Sequence, residues 1–475
     1  MTAFSLDRFA LEMRRGACPA LSAPMITGDG LLARIALTGT VSPDQLAQVC
    51  QLALTHGNGM IDISARGNLQ IRGLSQSSAA VLDRQVRAMN LPLREGLAVE
   101  VPPFAGLDPT ENADPRPLAH AICEGARGIT GLAPKMTVVV DGHGQLRHSA
   151  LLADIRLMAV KGDRWKILLG GTEASGSIFN VLRETQAVDA VLDLLRQLSA
   201  LGPKARGRDL VASGIGKAVA NFDPGRDSDT TPSSAGLSRG SASIGTAPTR
   251  QMLETSPSMT AEQATTSPFS LFVLSGDLHA VGVGPAFGQA QAADLLALCQ
   301  KAVHLGLRSL RPALDHSLLF LGSPPACLAL QRWAGDHGFI ITVDDPRGQI
   351  AACSGAPACR SAAIATHEIG LQAAAQCHDL LDGSFKLHVS GCRKGCAHPQ
   401  ASALSLCGTN VGISVIAQGK AADEPFASGN FADTPAMLRR LADLVRSEKR
   451  PSENSAQCLA RIGSARLAAA ATGRP

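Results

Sequence analysis

The sequence predicts an α+β protein built from two related halves, and three observations lead to this prediction. The order strand, helix, strand, strand occurs twice, once on each side of a polar segment near the middle of the chain. Each of these units is followed by a second block in which strand and helix patterns mix. Closely spaced cysteines occur only in the last block. An internal duplication with diverged copies explains these observations, and chance agreement of two common patterns is the alternative.

The composition is that of a soluble protein with room for about two to four domains. The 475 residues are 45% hydrophobic and carry a formal charge of +4. Only 3% are aromatic, Tyr is absent and no long basic run occurs, so we expect no nucleic-acid partner. Met1–Gly16 lacks the apolar core of a signal peptide, and no stretch resembles a membrane span. A cytoplasmic protein without a membrane partner is therefore expected.

The first copy of the repeat is predicted within residues 1–99. Apolar and other residues alternate over residues 31–37, which predicts a strand. Residues 44–56 have leucine and valine at helical spacing, and residues 59–66 and 68–72 follow as two further strands.

The second copy is predicted within residues 268–344. It begins with a strand over residues 278–284 and a helix over residues 290–304. Residues 306–311 and 317–321 then provide the two following strands. The same order of elements at both places is the reason for treating the halves as copies.

A flanking α+β block follows the first copy, within residues 100–222. Residues 136–141 and 165–169 are predicted strands, because both are runs of branched and large apolar side chains. Residues 187–201 have leucines at helical spacing and predict a helix. No cysteine pair of the kind found later occurs in this block.

The second flanking block is predicted within residues 345–475. It contains a strand over residues 411–416 and a closing helix over residues 435–446, which has Pro near its start. Between the halves, residues 223–267 are rich in Ser, Thr, Pro, Gly and Asp and lack any hydrophobic period. This segment is predicted to be a disordered linker.

Four cysteines of the second block predict an iron–sulfur centre. Cys353 and Cys359 form a C-x5-C pair, and Cys392 and Cys396 form a C-x3-C pair. A [4Fe–4S] cluster takes one thiolate per iron, and the small residues around these cysteines let the backbone approach a bulky inorganic core. A structural zinc site and unrelated buried thiols are the alternatives, although zinc usually takes shorter spacings than C-x5-C.

Motifs over nearly the whole chain, apart from the linker, resemble the nitrite/sulfite reductase superfamily. The resemblance is closest to its precorrin-3B synthase family. The two stretches with the cysteines are the most specific. The stretches are Arg15–Pro19, Met25–Leu32, His56–Gly59, Ser64–Gly73, Ala105–Pro109, Ala351–Cys359 and His388–Pro399.

The resemblance implies a set of residues that bind substrate. Members of the superfamily place an anionic tetrapyrrole, usually sirohaem, over the cluster and hold its carboxylates with basic side chains. Arg66, Gln70, Arg72 and Lys135 are the matching positions here. Arg66 and Arg72 are six residues apart, and they are expected to lie on one face of a strand pair and to face the cluster. Arginine suits the binding of carboxylates because its guanidinium fork matches a carboxylate. The alternative is that these residues are solvated surface charges.

Two departures from the reductase motifs favour the precorrin branch. Sulfite and nitrite reductases usually have a second lysine two residues after the first, whereas this chain has Thr137 two residues after Lys135. Their last cysteine loop commonly reads Cys-Pro-Asn-Gly-Cys, whereas here it reads Cys-Arg-Lys-Gly-Cys. The chain is also short for a sirohaem reductase.

The resemblance implies an α+β fold in which two ferredoxin-like half-units pair around a pseudo-twofold axis, with two flanking blocks, one of which holds the cluster. The implied reaction is the hydroxylation of precorrin-3A by O₂ with closure of a lactone, a step of aerobic cobalamin biosynthesis. An electron donor, NADH-linked or ferredoxin-like, is implied, and a mononuclear non-haem iron is expected. Its ligands remain open among five histidines, which are His56, His143, His148, His388 and His398.

Other functions remain open at this point. A sirohaem-dependent sulfite or nitrite reductase is the alternative enzyme. A non-catalytic protein with zinc in the four-cysteine site is an alternative from a different class. A cluster protein that only carries electrons is less consistent with the sequence, because such a carrier needs no second basic half.

Overall fold

A computed structural model describes residues 19–214 and 267–473. The predicted linker, residues 223–267, lies outside the described residues except for Ser267, and so does most of the motif Arg15–Pro19. Of the helices within the two described ranges, none combines the length and the apolar character that crossing a membrane requires.

The first half-unit is a sheet covered by two helices. Helix α1 begins where sequence signals predict, because Ser42 and Gln45 form a capping box and Pro43 occupies the first turn. Its apolar side packs on the sheet, and Leu46, Val49 and Ala53 are buried. The elements are β1 (Met25–Thr27), β2 (Gly30–Ile35), α1 (Pro43–His56), β3 (Met60–Ile63), β4 (Leu69–Leu74) and α2 (Gln76–Ala88).

The first flanking block has a sheet of five strands in the order β5-β6-β7-β8-β9. The first three strands are parallel and the last two pairings are antiparallel. Its own core surrounds Trp165, which is fully buried. The elements are β5 (Ala98–Glu100), α3 (Arg116–Ala126), β6 (Thr137–Asp141), β7 (Ile155–Val160), β8 (Arg164–Leu169), β9 (Ser177–Arg183), α4 (Glu184–Leu201) and α5 (Gly207–Ala212).

The second half-unit repeats the order of the first with one additional strand, β12. Its sheet has the order β10-β11-β14-β13, whereas β12 belongs to the sheet of the first half-unit. The elements are β10 (Leu271–Val273), β11 (His279–Val283), β12 (Gln289–Gln291), α6 (Ala292–His304), β13 (Ser309–Ala313), β14 (Ser317–Gly322) and α7 (Pro324–Asp336).

The second flanking block has the strand order β15-β16-β17-β18-β19. Its pairings are parallel, parallel, antiparallel and antiparallel, as in the first block. The elements are β15 (Ile350–Ala352), α8 (Thr366–Gln376), β16 (Leu387–Ser390), β17 (Ser402–Thr409), β18 (Gly412–Gly419), β19 (Ala427–Gly429), α9 (Thr434–Glu448) and α10 (Ser455–Thr472).

The two half-units share one hydrophobic core. Buried side chains of both form a single cluster, and α1 packs against α6. Cys50 and Cys299 occupy matching places on these two helices, and their thiols contact each other. Strand β12 pairs with β3 in an antiparallel register, with Ala290 opposite Ile61. The duplicated α+β fold predicted from the sequence is therefore confirmed, with two ferredoxin-like half-units and two flanking blocks.

The two flanking blocks offer equivalent loop positions, and the sequence places the cysteine pairs in only one of them. In the second block these loops follow β15 and β16, and the loops after β5 and β6 are their counterparts. The loops after β5 and β6 face one surface of the second half-unit's sheet. On this surface β14 bears Leu319 and Leu321, which form an apolar cluster with Phe104 and Phe272. In the first half, the corresponding strand β4 bears Gln70 and Arg72. In the second half, apolar side chains thus occupy the positions that correspond to Gln70 and Arg72 in the first half.

One geometric expectation is wrong. Arg66 does not lie on a strand, because it stands in the turn between β3 and β4, where it is exposed and forms an isolated bridge with Leu314. It therefore does not share a strand face with Arg72. Tight turn geometry is the physical reason, since Gly67 adopts a φ of 70° and the backbone of Ala313 approaches it closely.

The contribution of the apolar cluster around Phe104 and Phe272 to stability can be measured. Phe104 is 2% exposed, and its ring centroid lies 4.8 Å from that of Phe272. We expect Phe104→Ala to lower the free energy of unfolding by about 3–5 kcal/mol, because it leaves a cavity. Urea unfolding followed by tryptophan fluorescence measures this change.

The matched control is Leu201→Ala, which shortens an apolar side chain at the end of α4. Leu201 is 51% exposed. Its effect should stay within about 0.5 kcal/mol. Equal effects of the two substitutions would contradict a packed cluster around Phe104.

Candidate functional site

A cavity of about 940 Å³ separates the first half-unit from the second flanking block. One wall comes from strands β1, β2 and β4 together with Asp62 of β3, and the opposite wall from the loops after β15 and β16. We call residues 353–362 the first cysteine loop and residues 391–399 the second. All four predicted cluster cysteines line this cavity, and they are Cys353, Cys359, Cys392 and Cys396.

The first cysteine loop is held by a backbone hydrogen bond within it and by the side chain of Thr366. The amide of Cys359 donates to the carbonyl of Gly355 at 2.8 Å, and the hydroxyl of Thr366 donates to the carbonyl of Cys353. Gly355 has a φ of 59°, and a Cβ there would lie 2.4 Å from the Thr366 hydroxyl oxygen. Glycine is therefore required at this bend.

The second cysteine loop touches the first. The amide of Gly391 donates to the sulfur of Cys353 at 3.2 Å, and the amide of Ala363 donates to the carbonyl of Gly391 at 2.8 Å. The hydroxyl of Ser390 donates to the carbonyl of Cys392 at 2.7 Å. Backbone N–H groups that point at ligand sulfurs are a recurring means of tuning a cluster.

The chemistry of these side chains fits a [4Fe–4S] cluster. Burial raises the pKa of the Cys396 thiol, and the neighbouring thiols of Cys353, Cys392 and Cys359 raise it further. Four thiolates crowded in this way need positive charge between them, which iron supplies. In a [4Fe–4S] cluster each iron takes one thiolate. The four sulfur ligands of such a cluster therefore surround it and do not meet at a single metal ion.

The five candidate histidines are not brought together. His388 lies shortly before the second cysteine loop and His398 lies within it, and their ring centroids are 5.7 Å apart. His143 and His148 belong to the first block, and His56 ends α1. Nowhere in residues 19–214 and 267–473 are three or more His, Cys, Asp or Glu side chains close enough to hold one metal ion. The ligands of the expected mononuclear iron therefore stay unassigned.

His388 is the most isolated polar side chain near the cysteine loops. It is fully buried, and neither ring nitrogen has a hydrogen-bond partner among the described residues. Burial, together with nearby His398, lowers the pKa of His388 to about 4. The imidazole is therefore neutral at physiological pH, and a neutral ring here adds no charge to the surroundings of the thiolates.

Arg34 is a cavity residue that the sequence reasoning missed. It lies on β2 directly opposite Gln70 of β4, and both line the cavity. Its Nε is buried and has no hydrogen-bond partner in the described part of the chain. A single arginine within an otherwise apolar strand was the only available signal. Of the predicted substrate residues, Gln70 is thus placed in the cavity together with an unpredicted cation.

Arg72 also lines the cavity, but carboxylates of this chain surround it. Its Nε and Nη2 bind both oxygens of Asp29 at 3.0 and 2.9 Å, and its Nη1 binds Asp62 at 2.9 Å. Burial opposes the charged guanidinium, yet these two carboxylates outweigh it and raise the pKa of Arg72. The same contacts outweigh the effect of burial on Asp29 and lower its pKa.

Arg66 and Lys135 lie together but are not among the residues that line the cavity. Nη1 of Arg66 is 3.5 Å from the hydroxyl of Thr137, which donates to the carbonyl of Lys135 at 3.0 Å. Both side chains are exposed, whereas Thr137 is buried. The residue two positions after Lys135 is therefore a buried side chain that carries no charge.

Comparison with known proteins agrees with this architecture. Residues 23–89 match the family described as the nitrite/sulfite reductase ferredoxin-like half domain. The solved structure of the Mycobacterium tuberculosis NirA protein superposes with a TM-score of 0.63 at 17% identity, covering 92% of this chain and 84% of that chain. At this identity the likeness concerns the fold.

A sequence relative covers almost the whole chain. A protein of Sinorhizobium sp. named precorrin-3B synthase is 38% identical over 467 residues, which span 97% of this chain and 95% of the relative. Similarity of this extent is consistent with the cysteine loops and the paired half-units described above. The chain therefore belongs to the precorrin-3B synthase family, within the nitrite/sulfite reductase superfamily.

Proposed function

We propose that this chain converts precorrin-3A to precorrin-3B with O₂, in aerobic cobalamin biosynthesis. One oxygen atom enters the carbon between rings A and D as a hydroxyl, and a ring-A acetate closes a lactone. The other oxygen atom leaves as water with two electrons and two protons from a donor. The supporting observation is one cavity in which four cysteines face Arg34 and Gln70 of the other half, in a chain of this family.

The four cavity cysteines hold a [4Fe–4S] cluster in this proposal. When bound, the cluster supplies electrons one at a time, which reaction with O₂ requires. Cys353 is positioned for this role by the amide of Gly391, which already donates to its sulfur. Lys394 reaches Ser361 of the first cysteine loop at 2.7 Å, so a cation lies between the two loops. It offsets part of the negative charge of the thiolates.

The cavity walls suit a macrocycle with anionic arms. Met25, Ile26 and Leu32 give an apolar surface on which the faces of the ring can pack. Arg34 supplies N–H donors for a carboxylate, and Gln70 supplies a neutral donor beside it. Arg66 and Lys135 are exposed and remain our candidates for carboxylates that extend beyond the cavity.

The electron donor and the site of O₂ activation complete the proposal. We expect a donor that is NADH-linked or ferredoxin-like. The sequence shows no nucleotide-binding glycine loop that opens a helix, so it does not select between the two. A mononuclear non-haem iron remains part of the expectation, since the substrate carries no metal and His and carboxylate ligands suit that ion.

Turnover with labelled oxygen is the direct test of function. Anaerobically reconstituted protein is given precorrin-3A, a chemical reductant and ¹⁸O₂, and the product is analysed by mass spectrometry. Incorporation of one labelled atom is expected. Binding of precorrin-3A without any incorporation of label would reject the oxygenase, and uptake of sirohaem by the same preparation would then favour a sulfite or nitrite reductase.

Each predicted ligand should be required for the cluster. Cys353→Ser, Cys359→Ser, Cys392→Ser and Cys396→Ser should each lose most cluster absorbance and acid-labile sulfide, because one iron loses its thiolate. The matched control is Cys407→Ala, since this thiol is buried on β17 and does not line the cavity. Zinc without sulfide in the unsubstituted protein would support the structural-zinc alternative.

Arg34 should contribute to tetrapyrrole binding. Arg34→Met keeps the length of the side chain and removes its charge, so the dissociation constant for precorrin-3A should rise roughly 10- to 100-fold, as for the loss of a charge-assisted hydrogen bond. Fluorescence titration measures it. Arg127→Met is the control, because Arg127 is 72% exposed on the first block. An unchanged constant for Arg34→Met would exclude this role.

A further inference from the structure

The guanidinium of Arg72 connects the first half-unit to the first cysteine loop. Its Nη1 donates to the hydroxyl oxygen of Ser354 at 3.2 Å, and its Nη2 donates to the carbonyl of Ala358 at 3.2 Å. Ser354 directly follows Cys353, and Ala358 directly precedes Cys359. One side chain of β4 therefore holds the loop at both of its cysteines.

The other side of the guanidinium is fixed by carboxylates that are themselves anchored. Asp29 accepts from the side-chain amide of Asn58 at 3.0 Å, in addition to its two contacts with Arg72. Asp62 accepts from the side-chain amide of Gln289 at 2.6 Å. Because Gln289 belongs to β12, the network extends into the second half-unit. Arg72 is thus supported from both half-units.

This arrangement leaves Arg72 without a free donor. An arginine side chain has five N–H groups, and the five contacts to Asp29, Asp62, Ser354 and Ala358 use them all. The side chain is only 4% exposed. Its single positive charge already faces two carboxylates, so a substrate carboxylate would be a third anion beside one cation.

A second contact holds the same place. The amide of Gly28, in the turn between β1 and β2, donates to the carbonyl of Ala358 at 3.0 Å. A Cβ on Gly28 would lie 2.5 Å from the amide nitrogen of Arg360. The turn and the first cysteine loop therefore approach as closely as glycine permits, and Asp29 follows directly in the sequence.

We propose that Arg72 is a positioning residue that sets where Cys353 and Cys359 stand relative to the first half-unit, and that it does not bind a macrocycle carboxylate. This differs from the role expected from the sequence, in which Arg72 clamps substrate. The inference rests on the proposed function, since it takes the cysteines as cluster ligands and an anionic tetrapyrrole as the substrate.

The test compares Arg72→Lys with the unsubstituted protein in four measurements. Lysine keeps the charge but has a compact head with three donors, so it cannot span both carboxylates and both loop acceptors. Hydrogen exchange of residues 353–362 is measured in cluster-free protein, with residues 412–419 as an internal reference. Loss of iron to a chelator and the electron-resonance signal of the reduced cluster are measured in reconstituted protein. The fourth measurement is the dissociation constant for precorrin-3A.

In Arg72→Lys we expect hydrogen exchange of residues 353–362 and loss of iron to accelerate roughly tenfold or more, as for one lost charge-assisted hydrogen bond. The electron-resonance signal of the reduced cluster should also change. The dissociation constant should change less than about threefold, in contrast to Arg34→Met. Unchanged exchange and iron loss would overturn the proposal, and so would a tenfold loss of affinity with an intact cluster. Exchange in cluster-free protein remains informative even if the unsubstituted protein shows no oxygenase activity.

Ser354→Ala is the second variant, in case Arg72→Lys does not fold. It removes one loop contact of Arg72 and leaves the ion pairs with Asp29 and Asp62 in place. A smaller acceleration of exchange and iron loss in the same direction supports the proposal. An unchanged loop in Ser354→Ala would overturn it.

Discussion

The shared core of the two half-units is the constraint on which the rest of the structure depends. Helices α1 and α6 pack against each other, and β12 of the second half-unit extends the sheet of the first. The cavity combines a wall from the first half with loops from the second. Its geometry therefore depends on this core, because the two walls of the cavity belong to different halves of the chain.

Duplication gave the chain two equivalent places, and the structure uses them differently. At one place polar side chains such as Gln70 face the cysteine loops. At the other, Phe104 and Phe272 pack against Leu319 and Leu321. The second place thus contributes apolar burial to the stability of the fold. The first place instead presents polar side chains to the cavity. Near the cysteine loops, His388 is buried and has no hydrogen-bond partner among the described residues.

Periodic patterns and local motifs carried most of the predictive information in the sequence. The repeated strand and helix order was visible because each element has a regular hydrophobic period, and the cysteine spacings were visible because loop ligands lie close in sequence. Strand β12 was missed, since three residues give no period. The partners of Arg72 were missed for another reason. Asp29, Asp62 and Ser354 lie on separate elements, and no local pattern records that folding brings them to one guanidinium.

Strand β12 has a consequence for the growing chain. Until this strand has been synthesised, β3 is the edge of the first sheet, and its backbone groups on that side have no partner. A bare sheet edge invites pairing with other chains, and the shortness of β3 and the charge of Asp62 reduce this tendency. We therefore expect the first half of the protein to be prone to aggregation until β12 is in place, and a truncated product that ends before Gln289 to keep this open edge.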